Sequence, residues 1–120
     1  ALPAGPADGL FRLAVPGGED AILLSHVPNR HRAGYTIRLS LRPDDIALAK
    51  RPIPDISIQN QLRGTIKRLI VKTDRAYCLV DCGIPLLAEI TPASISSLNL
   101  REGEKIVCLF KSRAIQTVYY

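Results

Sequence analysis

The feature that most constrains this chain is a cadence: short strand-like runs recur about every ten residues, each closed by turn-forming residues. In the second half these runs are "QLRGTIKRLIV", "AYCLVDC", "PLLAEI", "KIVCLFK" and "AIQTVYY", broken at Thr73-Asp74-Arg75, at Cys82-Gly83 and at Arg101-Glu102-Gly103. The first half has "GLFRLAV", "AILLSHV" and "YTIRLSL", separated by "PGGED" and "PNRHRAG". Such spacing predicts a mainly all-β chain, arranged as a small barrel or sandwich. "RPDDIALA" follows, and then "KRPIPD", whose two prolines suit neither a helix nor a sheet interior. That connector is the natural boundary. It divides the chain into a β-rich segment at 1–50, expected to pack on the barrel, and a second unit at 51–120.

One helix is expected, in "TPASISSLNL". Thr91 is a good N-cap, Pro92 suits the first helical position, and Ile95 and Leu98 share a face. Five strands with one short helix make the inventory of an OB-type β-barrel. The 120 residues fit one domain, or two very small ones sharing a core, and 47% hydrophobic content can fill it. No run of about 18 apolar residues is present, so direct membrane insertion is not expected. No charged-then-apolar signal segment opens the chain. The first residue is Ala1, which reads as a processed terminus or as a piece of something longer.

Several chemistries are missing their motifs. There is no G-x-x-x-x-G-K-[ST] loop for nucleotide phosphates, no G-x-G-x-x-G and no G-x-S-x-G. His26 and His31 lie in or beside a basic turn and read as solvated. Cys78, Cys82 and Cys108 are odd in number, form no C-x-x-C pair and sit inside apolar runs, where a free thiol behaves as a small buried hydrophobe. That usage suits a reducing compartment. The sequence therefore predicts no catalytic residues, no metal site and no cofactor.

Three polar clusters stand out instead: "SIQNQLRG", "TPAS" and "FKS". Ser57, Ile58, Gln59 and Asn60 run straight into a strand. Thr91 and Ser94 open the helix, which reads first as ordinary capping, although a helix start also suits an anion. Lys111 is in step with buried neighbours along Ile106–Phe110, a strand apolar on both faces. A buried ammonium needs a negative partner or loses its proton, unless it emerges at the strand end into water. Hydroxyls, amides and a single cation are what a tetrahedral dianion asks for, if the three clusters converge. The net charge of +5 favours anionic partners without naming one.

The order "SIQNQLRGTIKRL…LLAEITPASISSLNLREGEKIVCLFKS" resembles the molybdate/tungstate-binding OB-type domain, the TOBE or molbindin family. The shared pattern is Ser-x-x-Asn, a Gly after Leu62, a Thr-x-x-Ser helix entry, a Leu-x-x-Gly turn, and a Lys before a small or hydroxyl residue. It covers Ser57 to about Gln116. The preceding "IRLSLRPDDIALAK" is similar to the segment before this domain in ATP-binding subunits of molybdate ABC transporters. The resemblance implies the C-terminal regulatory part of such a subunit, without its ATPase domain. It would lie in the cytoplasm at the inner face of the membrane, with the ATPase domain and membrane subunits as partners. It also implies side chains of Ser57, Thr91, Ser94 and Lys111 on the oxyanion, with Ser112, Asn60 and the backbone around Ile58 and Gln59 beside them. Because family sites commonly lie between subunits, a homodimer is expected. Many family members carry Arg where this chain has Gln59.

The expected function is thus sensing of cytoplasmic molybdate or tungstate and modulation of transport. Two rivals stand beside it. One is a dimerisation or interaction module that has lost its ligand, to which Gln59 points. The other is a nucleic-acid-binding OB barrel, suggested by the basic charge. That use wants exposed aromatics, and Phe11 and Phe110 lie in apolar strands while Tyr119 and Tyr120 are terminal.

Overall fold

The computed structural model describes the backbone of residues 3–7, 10–14, 21–24 and 38–118, and the side chains of residues 40–116. His26, His31, Tyr119, Tyr120 and the ring of Phe11 therefore lie outside what is described. Ten strands are assigned in chain order: β1 (Pro3–Ala7), β2 (Leu10–Ala14), β3 (Ala21–Leu24), β4 (Arg38–Ser40), β5 (Ala47–Ala49), β6 (Asn60–Val71), β7 (Ala76–Asp81), β8 (Pro85–Ile90), β9 (Lys105–Phe110) and β10 (Gln116–Val118). One helix, α1 (Pro92–Ser97), separates β8 from β9. The main sheet has the order β5-β9-β6-β7-β8, with every neighbouring pair antiparallel. It curls until its edges β5 and β8 lie beside one another, a half-barrel of the OB type. β1-β2-β3 form a second sheet, and β4 pairs β10 in a third.

Period-two alternation explains which side chains fill the barrel. Leu62 and Ile66 from β6, Cys78 and Val80 from β7, Leu86 and Ala88 from β8, and Ile106, Cys108 and Phe110 from β9 form one buried cluster. β9 is buried on both faces, as its composition predicts, since Val107 and Leu109 on the opposite face are buried too. That second face is covered within the single chain, so it does not by itself call for a second copy.

The long strand β6 organises the barrel. Its first half, from Asn60 to Thr65, pairs with β9, and from Thr65 to Val71 it pairs with β7. At the hand-over the register shifts between Ile66 and Arg68, a bulge. The turn before β9 fills the gap. Gly103 N–H donates to the Ile66 carbonyl (2.8 Å), Ile66 N–H to the Glu104 carbonyl (2.8 Å), and Leu69 N–H to the Glu102 carboxylate (3.0 Å). Gly103 takes φ 90°, a conformation that suits glycine in this turn.

The helix starts and stops as its residues dictate. Thr91 is the N-cap, its Oγ1 accepting from Ser94 N–H at 3.2 Å, and Pro92 occupies the first turn. At the other end Asn99 adopts φ 52°, while Leu100 N–H donates to the Ile95 carbonyl (2.9 Å) and Asn99 N–H to the Ser96 carbonyl (3.2 Å). This is a Schellman closure with Asn in the left-handed position. Ile95 and Leu98 pack on the barrel core.

The structure departs from the sequence reading at short elements. The fifth strand of the main sheet is Ala47–Ala49, drawn from "DDIALA", whereas "AIQTVYY" supplies β10, which pairs with β4 outside that sheet. Three-residue strands are too brief to display alternation. β1, with Pro3 and Pro6, also escapes a propensity reading. It is tolerated as the edge of its sheet, with a register irregularity between the two prolines.

Candidate functional site

Antiparallel pairing of β6 with β9 decides where two of the three polar clusters sit. Asn60 opposes Phe110. The residues entering β6, Ser57 to Gln59, therefore arrive at the same end of the ladder from which Lys111 and Ser112 leave β9. Lys111 is exposed and precedes a one-turn 3-10 helix over Ser112–Ala114, so of the two readings of this lysine the structure takes emergence into water. Among the described residues, the side chains of Ser57, Gln59, Lys111 and Ser112 have no hydrogen-bond or ion-pair partner. The segments that carry these two hydroxyls, the amide and the ammonium thus adjoin the same end of the β6–β9 ladder.

The rest of the first cluster behaves differently. Asn60 is only 1% exposed and is engaged within the fold. Ile58 is half-buried, and its carbonyl accepts from Gln61 Nε2 at 3.1 Å. Gln61 is the residue that the sequence reading passed over. Its amide also meets Ile53, accepting from Ile53 N–H (2.8 Å) and donating to the Ile53 carbonyl (2.9 Å). The visible signal was weak: Gln61 is one of several polar residues on the outward positions of β6.

Thr91 and Ser94 come from elsewhere in the sheet. Thr91 follows β8, the edge opposite to β5, and the curl brings β8 against β5. Lys50, just past β5, donates to the Asn99 carbonyl (3.2 Å) beyond the helix and pairs with Glu104 (3.1 Å). β5 therefore stands between the helix side and the exit of β9. The Thr91 and Ser94 hydroxyls lie 2.9 Å apart and bond to each other. Within one chain, register brings the first and third clusters to one end of the β6–β9 ladder, while the second follows β8, the strand that the curl sets beside β5.

The thiols are core residues. Cys82 Sγ lies 3.9 Å from Cys108 Sγ and 4.0 Å from the Leu62 carbonyl, so Cys82 is in contact with Cys108, 26 residues away in sequence. Burial, with the nearby Cys82, pushes the Cys78 thiol up to about 11, and the contact with Cys82 together with burial raises Cys108 as well. Among the described residues no group of His, Cys, Asp and Glu is arranged to hold a metal ion, and no helix is long and apolar enough to cross a membrane.

The molybdenum import ATP-binding protein ModC of Pseudomonas aeruginosa is 33% identical over 113 residues, covering 92% of this chain and 31% of that protein. ModC of Methylococcus capsulatus is 29% identical over 109 residues, covering 88% and 30%. The chain spans about a third of the length of these relatives. Among solved structures, the cytoplasmic molybdate-binding protein ModG, with molybdate bound, superposes over 100% of this chain and 86% of its own, with TM-score 0.77; at 17% identity this likeness speaks for the fold. A molybdate-binding protein from Sporomusa ovata is 32% identical, with TM-score 0.52, and matches 54% of this chain and 98% of its own. The TOBE domain profile matches residues 56–116. That span holds β6 to β9, α1 and all eight candidate oxyanion residues, and the chain belongs to the TOBE-domain family.

Proposed function

We propose that this chain is an oxyanion-binding regulatory domain that takes molybdate or tungstate, and that it forms part of the ATP-binding subunit of a molybdate importer. The observation that carries the reading is the β6–β9 register, which gathers the unpaired donors of Ser57, Gln59, Lys111 and Ser112 at one end of the barrel. A tetrahedral dianion accepts from several N–H and O–H groups at once, and Lys111 adds charge-assisted bonding. The ModC relatives and the molybdate-binding structures support the choice of anion. Ile58 contributes through its backbone, and Asn60 anchors the start of β6.

Thr91 and Ser94 join the site by a different route. They follow β8, outside the β6–β9 ladder that carries the other donors, and we assign them to a site completed by a second copy, as a homodimer. The segment 1–50 packs on the 51–120 barrel, which the pairing of β5 with β9 and β4 with β10 supports. Within the parent transporter the partners are the ATPase domain and the membrane subunits, at the cytoplasmic face. The chain itself works by binding, without cofactor and without catalysis. Nucleic acid is disfavoured, since Phe110 is buried in the core and offers no ring for a base.

Calorimetric titration of wild type, Lys111→Ala and Gln59→Arg against molybdate, tungstate, sulfate and phosphate at one salt concentration tests the reading. Molybdate and tungstate should bind in preference to sulfate and phosphate, and Gln59→Arg should tighten binding. Equal binding by wild type and Lys111→Ala would remove the anion from this end of the barrel. A wild type that binds none of the four anions, yet is dimeric by light scattering, favours the second reading, a dimerisation module without ligand, for which Gln59 in place of Arg is the motive. A strict monomer at high concentration, with and without anion, sinks the two-copy site.

A further inference from the structure

The segment between β5 and β6 belongs to no ladder, and from Arg51 to Gln59 every residue but Ile58 is exposed. It carries Ser57 and Gln59, whose aim matters if they face an anion. It also contains Asp55 at φ 56°, in the left-handed region that Asp tolerates better than most non-glycine residues, as in a turn. Among the described residues, the side chain that fastens the segment is that of Gln61. The Gln61 amide takes both backbone groups of Ile53, as an adjacent strand residue would, and spends its second N–H on the Ile58 carbonyl. Those bonds tie the segment at two points, five residues apart in sequence, with Ser57 immediately before the second. Gln61 itself is fixed by the β6–β9 ladder, opposite Leu109.

We propose that Gln61 is a positioning residue: its three hydrogen bonds to Ile53 and Ile58 hold Ser57 and Gln59 in the conformation that receives the oxyanion. This deepens the oxyanion reading and rests on it. Gln61 acts through the loop, and its own donors are already spent. With the amide removed, the anion must order the segment as it binds, and the apparent affinity falls by the fraction of time the loop is competent. If that fraction drops to about a tenth, the Kd rises about 10-fold. Gln61→Asn keeps the amide one methylene short, so it cannot span Ile53 and Ile58 together and should behave like Gln61→Ala.

The test uses the 120-residue chain and three measurements on wild type, Gln61→Ala and Gln61→Asn. Thermal melting checks that each variant folds. Hydrogen–deuterium exchange reads the Ile53 amide, and calorimetry reads molybdate. The expected result is fast Ile53 exchange and a roughly 10-fold higher Kd in both variants, with saturating molybdate restoring protection at 51–59 far more in the variants than in wild type. Ile53 exchange unchanged by Gln61→Ala overturns the clamp. Accelerated exchange with an unchanged Kd overturns the positioning role. A wild type that binds no molybdate overturns the oxyanion reading and with it the role of Gln61 at that site, while the exchange arm still decides whether Gln61 holds the segment.

Discussion

Replacing Gly64 by alanine tests the packing logic of the barrel at its tightest point. Gly64 lies in β6 opposite Ile106, where the end of β7 crosses close to the strand. A Cβ there would lie 2.6 Å from the Asp81 carbonyl oxygen, 2.6 Å from Cys82 Sγ and 2.7 Å from Val80 Cγ1. The glycine is thus required by close approach, and one of the three clashes is with backbone that cannot swing aside. Overpacking of this kind costs about 1–3 kcal/mol. Against it stands about 0.4–1 kcal/mol gained by restricting the unfolded chain. The backbone clash puts the cost at the upper end, for a net loss of about 2 kcal/mol. With an unfolding entropy of about 2.1 cal/mol/K per residue, a chain of this length should melt about 8 °C lower. Circular dichroism during heating and in urea measures it. Adding Cys82→Ala should recover only part of the loss, because the Asp81 carbonyl remains in the way. Gly103→Ala is the control, since its Cβ meets nothing within 4 Å and only its φ of 90° is strained. A Gly64→Ala protein as stable as wild type would refute the reasoning.

Lys111→Ala should weaken molybdate binding by about one to two orders of magnitude, since charge-assisted hydrogen bonds are worth about 1.5–3 kcal/mol; Ser94→Ala should cost near 1 kcal/mol, both read by calorimetry. Thr91→Ala removes the helix cap and should lower stability by about 1 kcal/mol in urea unfolding, whether or not the site is live. Cys78 holds its proton to about 11 in the folded chain, against 9.0 as the ordinary value. Its contribution is therefore fully present below pH 9 and is lost as pH rises toward 11, by about 3 kcal/mol over the two pKa units. Urea melts across that range should show a decline that becomes shallower in Cys78→Ala, the raised Cys108 thiol sustaining the remainder, and a flat wild-type profile would count against the burial argument.

The residues that were readable in advance are those whose signal is local. Thr91 with Pro92 announces a helix start, Gly83 and Gly103 announce turns, and the double-sided apolar composition of Ile106–Phe110 announces a strand without a wet face. The chemistry of the polar clusters was readable too, because hydroxyls, amides and one lysine are visible as letters. Their arrangement was not. That Ser57–Gln59 enters the ladder at the end where Lys111–Ser112 leaves it follows from Asn60 opposing Phe110, a pairing between residues 50 apart in sequence. The same holds for the thiols: Cys82 reaches Cys108 across β6 because Gly64 leaves room, and nothing near Cys82 in sequence says so. Gln61 was missed for a related reason. Its amide bonds to Ile53, a residue in a proline-rich connector whose path no periodicity describes.

The placement of the donors constrains how an anion could regulate anything. Binding shifts an equilibrium only if the ligand prefers one arrangement to another. The barrel offers little to rearrange. β6 is laddered along its whole length, first to β9 and then to β7, and the bulge between the two is plugged by the turn at Gly103 and Glu104. Lys50 adds a tie from the end of β5 to Asn99 and Glu104. Lys111 and Ser112 leave this framework directly, so they are held nearly as firmly as β9. The segment 51–59, by contrast, belongs to no ladder among the described residues and is tied by the Gln61 side chain. It also presents Ile53 and Ile56, each 40% exposed, beside Ser57. An anion drawn to Lys111 would therefore exert its preference on this segment, and through its apolar residues on whatever surface it meets. A second copy bringing Thr91 and Ser94 would complete the donor set there and cover those isoleucines. Both effects would make the paired arrangement the one that binds best, which is the condition for the anion to act as a signal.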